Sequence, residues 1–333
     1  MMSSISTIVE SGFSSLSRKG NAFNPFDLER EEDFERWRDY KRASFPRQTS
    51  DLVVEITDPN QPSDKEVAAL MDRLKRANMA VYVCANPLDE EEGSKKFVRA
   101  LGRRFGLQRL DANLCADTDA ITPLHDVHNG EGARARYIPY TNRPISWHVD
   151  GYYNTPDRQI RGMVLHCVRP SQSGGESALY DPEMAYLLMR EANPDYIRAL
   201  AHPEAMHIPP NQDERNGQEI RAISTGPVFS LDAKTATLHM RFSARQRNII
   251  WRDDAVTREA VAFLNALLED GKPYIFQHRM AAGQGLVCNN VLHNRTGFQD
   301  PEDGAPGRLY LRARYFDRIS GTGVKEVYAE LAS

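Results

Sequence analysis

The segment Ser146-Trp147-His148-Val149-Asp150-Gly151 sets an imidazole and a carboxylate two positions apart. In extended backbone alternate side chains leave on the same side, so His148 and Asp150 form a ready pair of metal ligands. With nine histidines in the chain such a pair also arises by chance, and His202-Pro203-Glu204 is a decoy of the same form. A third ligand has to come from elsewhere. The candidate is His293 in Val287-Cys288-Asn289-Asn290-Val291-Leu292-His293-Asn294-Arg295, which follows an apolar strand. Two imidazoles and one carboxylate on one face of an ion leave three positions open, which suits octahedral iron(II) that must also hold a cosubstrate and oxygen. A zinc hydrolase or a non-catalytic metal-binding jelly roll uses the same ligand types, so the triad alone leaves the metal open.

The run Arg308-Leu309-Tyr310-Leu311-Arg312-Ala313-Arg314-Tyr315-Phe316 narrows the choice. Strand alternation puts Arg308, Tyr310, Arg312 and Arg314 on one face and Leu309, Leu311, Ala313 and Tyr315 on the other. Guanidinium forks bind carboxylates bidentately and stay charged when desolvated, which is what a dicarboxylate cosubstrate in a closed barrel would need. The plainer alternative is a solvent-facing strand paired to surface acids. Arg312 and Arg314 suggest a small anionic substrate, a carboxylate, sulfonate or phosphonate, although Arg314 would equally serve to neutralise a buried acid. Tyr152, Tyr153 and Asn154 follow the metal pair directly and are expected to line the mouth of the site or to pack beside it. Trp147 reads as a core residue next to a ligand. His125 and His128 flank Asp126 and read as a polar loop or site wall rather than a second metal pair.

Several elements must position these groups. The charged run from Asp27 to about Ser44 suits an amphipathic surface helix ended by Phe45-Pro46. Ser63 to Asn78 reads as a second helix, with Ser63 as N-cap, Glu66 in the capping-box position and Val67, Leu70 and Leu74 as its apolar stripe. Residues 79–85 read as a buried strand, and Glu90 to about Phe105 as a helix closing at Gly106. Beyond it, short apolar or alternating runs are broken by Gly, Pro, Asn and Asp, with helices near 182–192 and 254–269. The chain is therefore expected to be α+β with a mainly β core: a double-stranded β-helix, or cupin-like jelly roll, with flanking helices. Residues 1–25 are rich in Ser and Gly and are expected to be flexible. Residues 26–333 form one domain, with a helical flank over 26–106 and a β core over about 107–320.

Composition excludes little else. The chain has 333 residues, 41% hydrophobic and 26% charged, with a formal net charge of −4, an ordinary soluble profile without the basic excess that nucleic acid requires. No apolar segment suits a membrane span or signal peptide. Cys84, Cys115, Cys167 and Cys288 form no CxxC pair and read as reduced, mostly buried thiols, so cytoplasm is the expected compartment.

Taken together, the HxD pair, the distal histidine and an arginine some fifteen residues beyond it resemble the signature of the TauD/TfdA family of Fe(II)/2-oxoglutarate-dependent dioxygenases. His148, Asp150, His293 and Arg308 match in order, and the resemblance spans roughly Gly130 to Ile319, with an extension from about Asp51. It implies iron(II) as metal, 2-oxoglutarate as cosubstrate and O2 as oxidant. The coproducts would be succinate and CO2, and the outcome would be hydroxylation, desaturation or oxidative cleavage of a small molecule. Gly174-Gly175-Glu176-Ser177 resembles the family's Gly-Gly-Asp-Thr turn, which implies that Ser177 helps Arg308 hold the distal carboxylate of 2-oxoglutarate. Arg312 matches an arginine that meets acidic substrates in some members. Halogenating relatives replace the carboxylate ligand with a small residue, so Asp150 points away from halogenation. The chain departs from the family in having Asn289-Asn290 for Asp-Asn and His293-Asn294-Arg295 for His-Gly-Arg, and neither change removes a ligand. Relatives often associate as dimers or tetramers, so a homo-oligomer is the expectation by resemblance.

Overall fold

The computed structural model describes residues 23–331 except 89, 113–116, 128–133, 135–136, 213–216, 218, 233 and 246–248. Cys115, His128 and most of the segment expected to be flexible therefore lie outside the described residues. Six helices matter for the site: α1 (Glu31–Ser44), α2 (Asp64–Ala77), α3 (Glu91–Arg104), α4 (Pro182–Ala192), α5 (Pro194–Leu200) and α6 (Ala255–Asp270). Ten strands carry it: β1 (Val53–Ile56), β2 (Met79–Cys84), β3 (Ile121–Leu124), β4 (Ile145–His148), β5 (Gly162–Arg169), β6 (Ser177–Tyr180), β7 (Phe276–His278), β8 (Gln284–Cys288), β9 (Leu292–Arg295) and β10 (Leu309–Tyr315).

The helix ends follow local chemistry. Ser63 accepts from the Glu66 N–H while the Glu66 carboxylate accepts from the Ser63 N–H, so α2 begins with a reciprocal capping box. It stops at Asn78, whose left-handed φ of 57° is tolerated by asparagine better than by most residues. Helix α5 was not expected from the sequence. It is only seven residues long, too short for a periodic signal, and rests on Asn193 capping the Asp195 N–H with Pro194 in the first turn.

The strands form two principal sheets, one of six strands in the order β1-β2-β8-β5-β10-β3 and one of four in the order β7-β6-β9-β4. All neighbours within them are antiparallel except the β1/β2 pair. The expected helical flank thus also extends the larger sheet, because β2 pairs with β8 from Met79 to Val83. One buried cluster joins Met163, Cys167, Leu286 and Tyr310 of the larger sheet to Leu179, Tyr180, Phe276 and Leu292 of the smaller. A second lies on the outer face of the larger sheet, where Val164, Val287 and Leu311 meet Leu70 and Leu74 of α2 and Phe97 and Leu101 of α3. Close packing there demands a glycine: a Cβ on Gly102 would stand 2.6 Å from the Tyr315 hydroxyl.

The first described residues are docked rather than loose, since Phe23 and Phe26 are buried and Arg190 donates to the carbonyls of Pro25 and Asp27. Helix α1 is tied to the core by Lys41, which is fully buried 2.6 Å from Asp181 and 2.7 Å from Glu183. Tyr328 donates to the same Glu183 carboxylate at 3.0 Å. Removing one partner of a buried ion pair leaves uncompensated charge, a loss on the order of 3–5 kcal/mol. Lys41→Met is therefore expected to lower the unfolding free energy by about that much in a denaturant titration, and a change within experimental error would show that Asp181 and Glu183 do not depend on the ammonium group.

Candidate metal and cosubstrate site

His148 and His293 lie directly opposite each other on adjacent strands β4 and β9. Their ring centroids are 4.3 Å apart. In each case the ring Nδ1 lies 2.9 Å from a backbone carbonyl two residues earlier, that of Ser146 or of Val291. A carbonyl only accepts, so Nδ1 carries the proton and Nε2 keeps a bare lone pair. Burial, followed by the nearby His293, pushes the His148 imidazole down to about 3, and burial also lowers His293, so both rings are neutral at physiological pH.

Asp150 stands just past the end of β4, where Gly151 turns the chain with φ of 67°. Its backbone is held by Asn290, whose Oδ1 accepts from the Asp150 N–H at 2.9 Å and whose Nδ2 donates to the carbonyls of Asp150 at 2.9 Å and Ile160 at 2.7 Å. Asn290 itself has a left-handed φ of 51°. The Asp150 carboxylate is buried, which alone would raise its pKa, but the Arg312 and Arg314 guanidinium groups outweigh burial and hold it well below the usual carboxylate range. Arg312 donates to Oδ1 at 3.1 Å, whereas Oδ2 is buried without a hydrogen-bond partner in the protein. One ligand atom from each of His148, Asp150 and His293 thus lies within 4.8 Å of the others. This donor set fits a divalent transition metal with open positions, iron(II) among them. Among the described residues no other group of histidines, cysteines and acids has metal-site geometry, and His125 belongs to none.

Strand β10 is buried on both faces. Leu309, Leu311, Ala313 and Tyr315 pack toward the helices, as alternation requires, while Arg308, Arg312 and Arg314 are only 4%, 8% and 4% exposed. The solvent-facing alternative for this strand is excluded. Arg308 lies 3.7 Å over the Tyr310 ring and 5.0 Å from the Phe298 ring, and its Nε and one terminal nitrogen find no partner. Burial lowers its pKa and the Tyr310 phenol, the Cys167 thiol and the Asp300 carboxylate offset this only in part, yet a guanidinium stays charged, so a cation sits in the interior with no salt bridge among the described residues. Ser177 lies opposite Arg295 across β6/β9, two residues from Leu179, which lies opposite His293, so Ser177 and the metal histidine share a sheet face. The preceding turn needs glycine, because Gly174 has φ of 69° and a Cβ there would meet the Gly297 carbonyl at 2.3 Å.

Arg314 is occupied by protein groups. It forms a short ion pair with the buried Asp111 and donates to the Tyr153 hydroxyl at 3.2 Å, which favours the second of its two readings, neutralising a buried acid. Tyr152 and Tyr153 are half-buried and meet edge to face at 5.2 Å. Trp147 packs against the main core beside the ligand strand. The sequence had not singled out Asp111, or Asn290 as a support for Asp150. An Asn-Asn pair at a strand junction was a usable signal for the latter, since asparagine favours the left-handed region.

The two-histidine, one-carboxylate donor set, in a protein that also buries the Arg308 guanidinium, fits the non-haem iron oxygenases that use a 2-oxo acid. The sequence profile described as "Taurine catabolism dioxygenase TauD, TfdA family" matches residues 40–314, and the chain belongs to that family. It is an Fe(II)- and 2-oxoglutarate-dependent dioxygenase. It is similar to the uridine-5′-phosphate dioxygenase of Amycolatopsis sp, being 31% identical over 203 residues, which cover 59% of this chain and 70% of that protein. In fold it resembles the PvcB protein from Pseudomonas aeruginosa, with a TM-score of 0.52 at 15% identity over 80% of this chain and 85% of that one. It likewise resembles asparagine oxygenase, with a TM-score of 0.52 at 13% identity over 84% of this chain and 96% of that one. Among the described residues no helix is long and apolar enough to cross a membrane.

Groups that orient metal ligands typically matter by about 10–100-fold in affinity. Asn290→Ala is accordingly expected to weaken cobalt(II) binding by about that factor and to shift the cobalt ligand-field spectrum, and an unchanged affinity and spectrum would remove Asn290 from the support of Asp150.

Proposed function

We propose that His148, Asp150 and His293 hold the ferrous ion, that Arg308 with Ser177 anchors the distal carboxylate of 2-oxoglutarate, and that the enzyme hydroxylates a small anionic substrate, or desaturates or cleaves it. The scaffold is a double-stranded β-helix in which the smaller sheet supplies the metal ligands and the larger supplies the anion-binding arginine. The observation that carries this reading is the buried Arg308 guanidinium, whose Nε and one terminal nitrogen have no hydrogen-bond partner in the protein. A desolvated cation of this kind is costly unless an anion completes it, and a carboxylate matches its fork.

Bound iron together with 2-oxoglutarate supplies an oxidant able to attack a C–H bond. The chain's own residues bind, orient and shield. Asn290 fixes the Asp150 backbone, Arg312 keeps the Asp150 carboxylate ionised, and the carbonyls of Ser146 and Val291 fix both imidazoles in one tautomer. The Tyr310 and Phe298 rings surround Arg308 with apolar surface and exclude water from its charge. Arg312, whose Nε has no hydrogen-bond partner, is a candidate donor for an acidic group of the substrate. Support for an anionic substrate also comes from the similar Amycolatopsis enzyme, named for a phosphate monoester. Tyr152 and Tyr153, directly after Asp150-Gly151, line the approach. The buried free cysteines Cys84, Cys167 and Cys288 support a reducing, cytoplasmic setting.

Wild-type protein given iron(II), 2-oxoglutarate and oxygen is expected to release succinate slowly even without its substrate, and complete absence of succinate would sink the reading. His148→Ala is expected to abolish ferrous binding in an equilibrium titration, while unchanged affinity would take His148 out of the site. A charge-assisted hydrogen bond contributes about 1.5–3 kcal/mol, so Arg308→Gln is expected to raise the KM for 2-oxoglutarate by about 10–100-fold; a KM within twofold of wild type would show that another group holds the cosubstrate.

A further inference from the structure

Beyond the metal ligands, most arginines around the site are paired with an acid or with backbone carbonyls. Arg314 is paired with Asp111, and Arg161 with Asp232. Arg158 stands 3.6 Å from Asp111. Arg241 lacks an acid but is filled by the carbonyls of Met206, Gly226 and Ser224 and by the Ser224 hydroxyl. Arg221 differs. It lies on the short antiparallel pair Asn211–Gln212 and Glu219–Arg221, and among the described residues no carboxylate pairs with it. Its guanidinium donates to the Pro209 carbonyl at 2.8 Å and the Ala222 carbonyl at 3.2 Å. A guanidinium has five N–H donors, so three remain.

The surroundings point to a ligand. The Arg221 guanidinium carbon lies 5.8 Å from the centroid of the Tyr153 ring, and the phenols of Tyr152, Tyr153 and Tyr137 are its electrostatic neighbours. Burial lowers its pKa and the phenols offset this only in part, so the environment lacks a matching negative charge. Tyr153 in turn joins this arginine to the reaction centre. Its hydroxyl accepts from Arg314, whose same nitrogen is 3.9 Å from the Asp150 carboxylate. One tyrosine ring and one guanidinium thus separate Arg221 from a metal ligand. This is the right scale for a small molecule whose reacting carbon is at the metal and whose charged group is at the rim.

We propose that Arg221 is a specificity residue that binds a phosphate monoester on the substrate, with Tyr153 and Tyr152 forming an aromatic wall beside it. The proposal rests on the iron and 2-oxoglutarate reading of the site and narrows its substrate to phosphate esters of ring-bearing compounds. A planar fork suits phosphate oxygens, and its contact with the Tyr153 face keeps the fork oriented before the ligand arrives. A phosphate also carries more charge than a carboxylate, so two N–H groups on one acceptor group gain most there.

The test is calorimetric titration of anaerobic protein loaded with iron(II) and 2-oxoglutarate, using two matched pairs: uridine 5′-phosphate against uridine, and ribose 5-phosphate against ribose. Wild type is expected to bind at least one phosphate ester about tenfold or more tightly than its dephosphorylated partner, as a charge-assisted pair implies. Arg221→Gln should erase that preference without changing the affinity for the uncharged partner, and Arg221→Lys should restore part of it by charge alone. The proposal is overturned if wild type shows no preference in either pair. It is equally overturned if Arg221→Gln keeps the preference, or weakens both members of a pair alike, as a mere strut for the hairpin would. Failure of the underlying reading shows separately, as wild-type protein that forms no succinate.

Discussion

The register between β4 and β9 is the constraint on which the site depends. His148 and His293 face one another only because these strands pair at those residues, and a slip of β4 by one position would turn His148 to the face opposite His293. The turn at Asp150 adds the third ligand, and the Asn290 side chain locks that turn to the loop preceding His293 through paired bonds to the Asp150 N–H and C=O. Strand order, turn and clamp therefore act together. Each imidazole is oriented by a carbonyl of its own strand, so the ring directions come with the strand geometry and need no further side chain.

Charge is arranged around this frame in two ways. On β10, Arg312 and Arg314 are matched by the buried acids Asp150 and Asp111, whereas Arg308, at the start of the strand, forms no salt bridge among the described residues and packs on aromatic faces. Side chains from one strand thus differ in whether a buried acid offsets their charge. A similar contrast at the rim separates Arg221 from Arg158 and Arg161.

Much of this was legible in the sequence where the information is local. The Ser63 and Glu66 capping box, the Asn78 stop, the His148/Asp150 spacing and the alternation along β10 all depend on residues a few positions apart, and the structure repeats them. What was not legible depends on distant partners. Asp111 is separated from Arg314 by 203 positions and Asn290 from Asp150 by 140, and no periodicity reports such pairs. The same reason hid the place of β2 inside the larger sheet: its apolar run showed a buried strand but not its neighbour. The order at Phe23 and Phe26 was likewise hidden, because a composition dominated by Ser and Gly outweighed two aromatic anchors that only tertiary packing makes useful.

Asn78 gives the chain a unity that its composition does not suggest. Its side chain donates to Asp181 at 3.0 Å and accepts from Asn289 at 3.0 Å and from Arg318 at 2.7 Å, while its carbonyl accepts from the Asn289 N–H at 2.8 Å. One residue therefore joins the end of α2, the start of α4, the loop beside the metal ligands and the C-terminal segment. A cut between the helical flank and the β core would strip this asparagine, and the strand that follows it, from the loop that carries Asn290. The flank and the metal loop should open and close as a single cooperative unit, so loosening at the N-terminal end would be transmitted to the iron ligands as lost order.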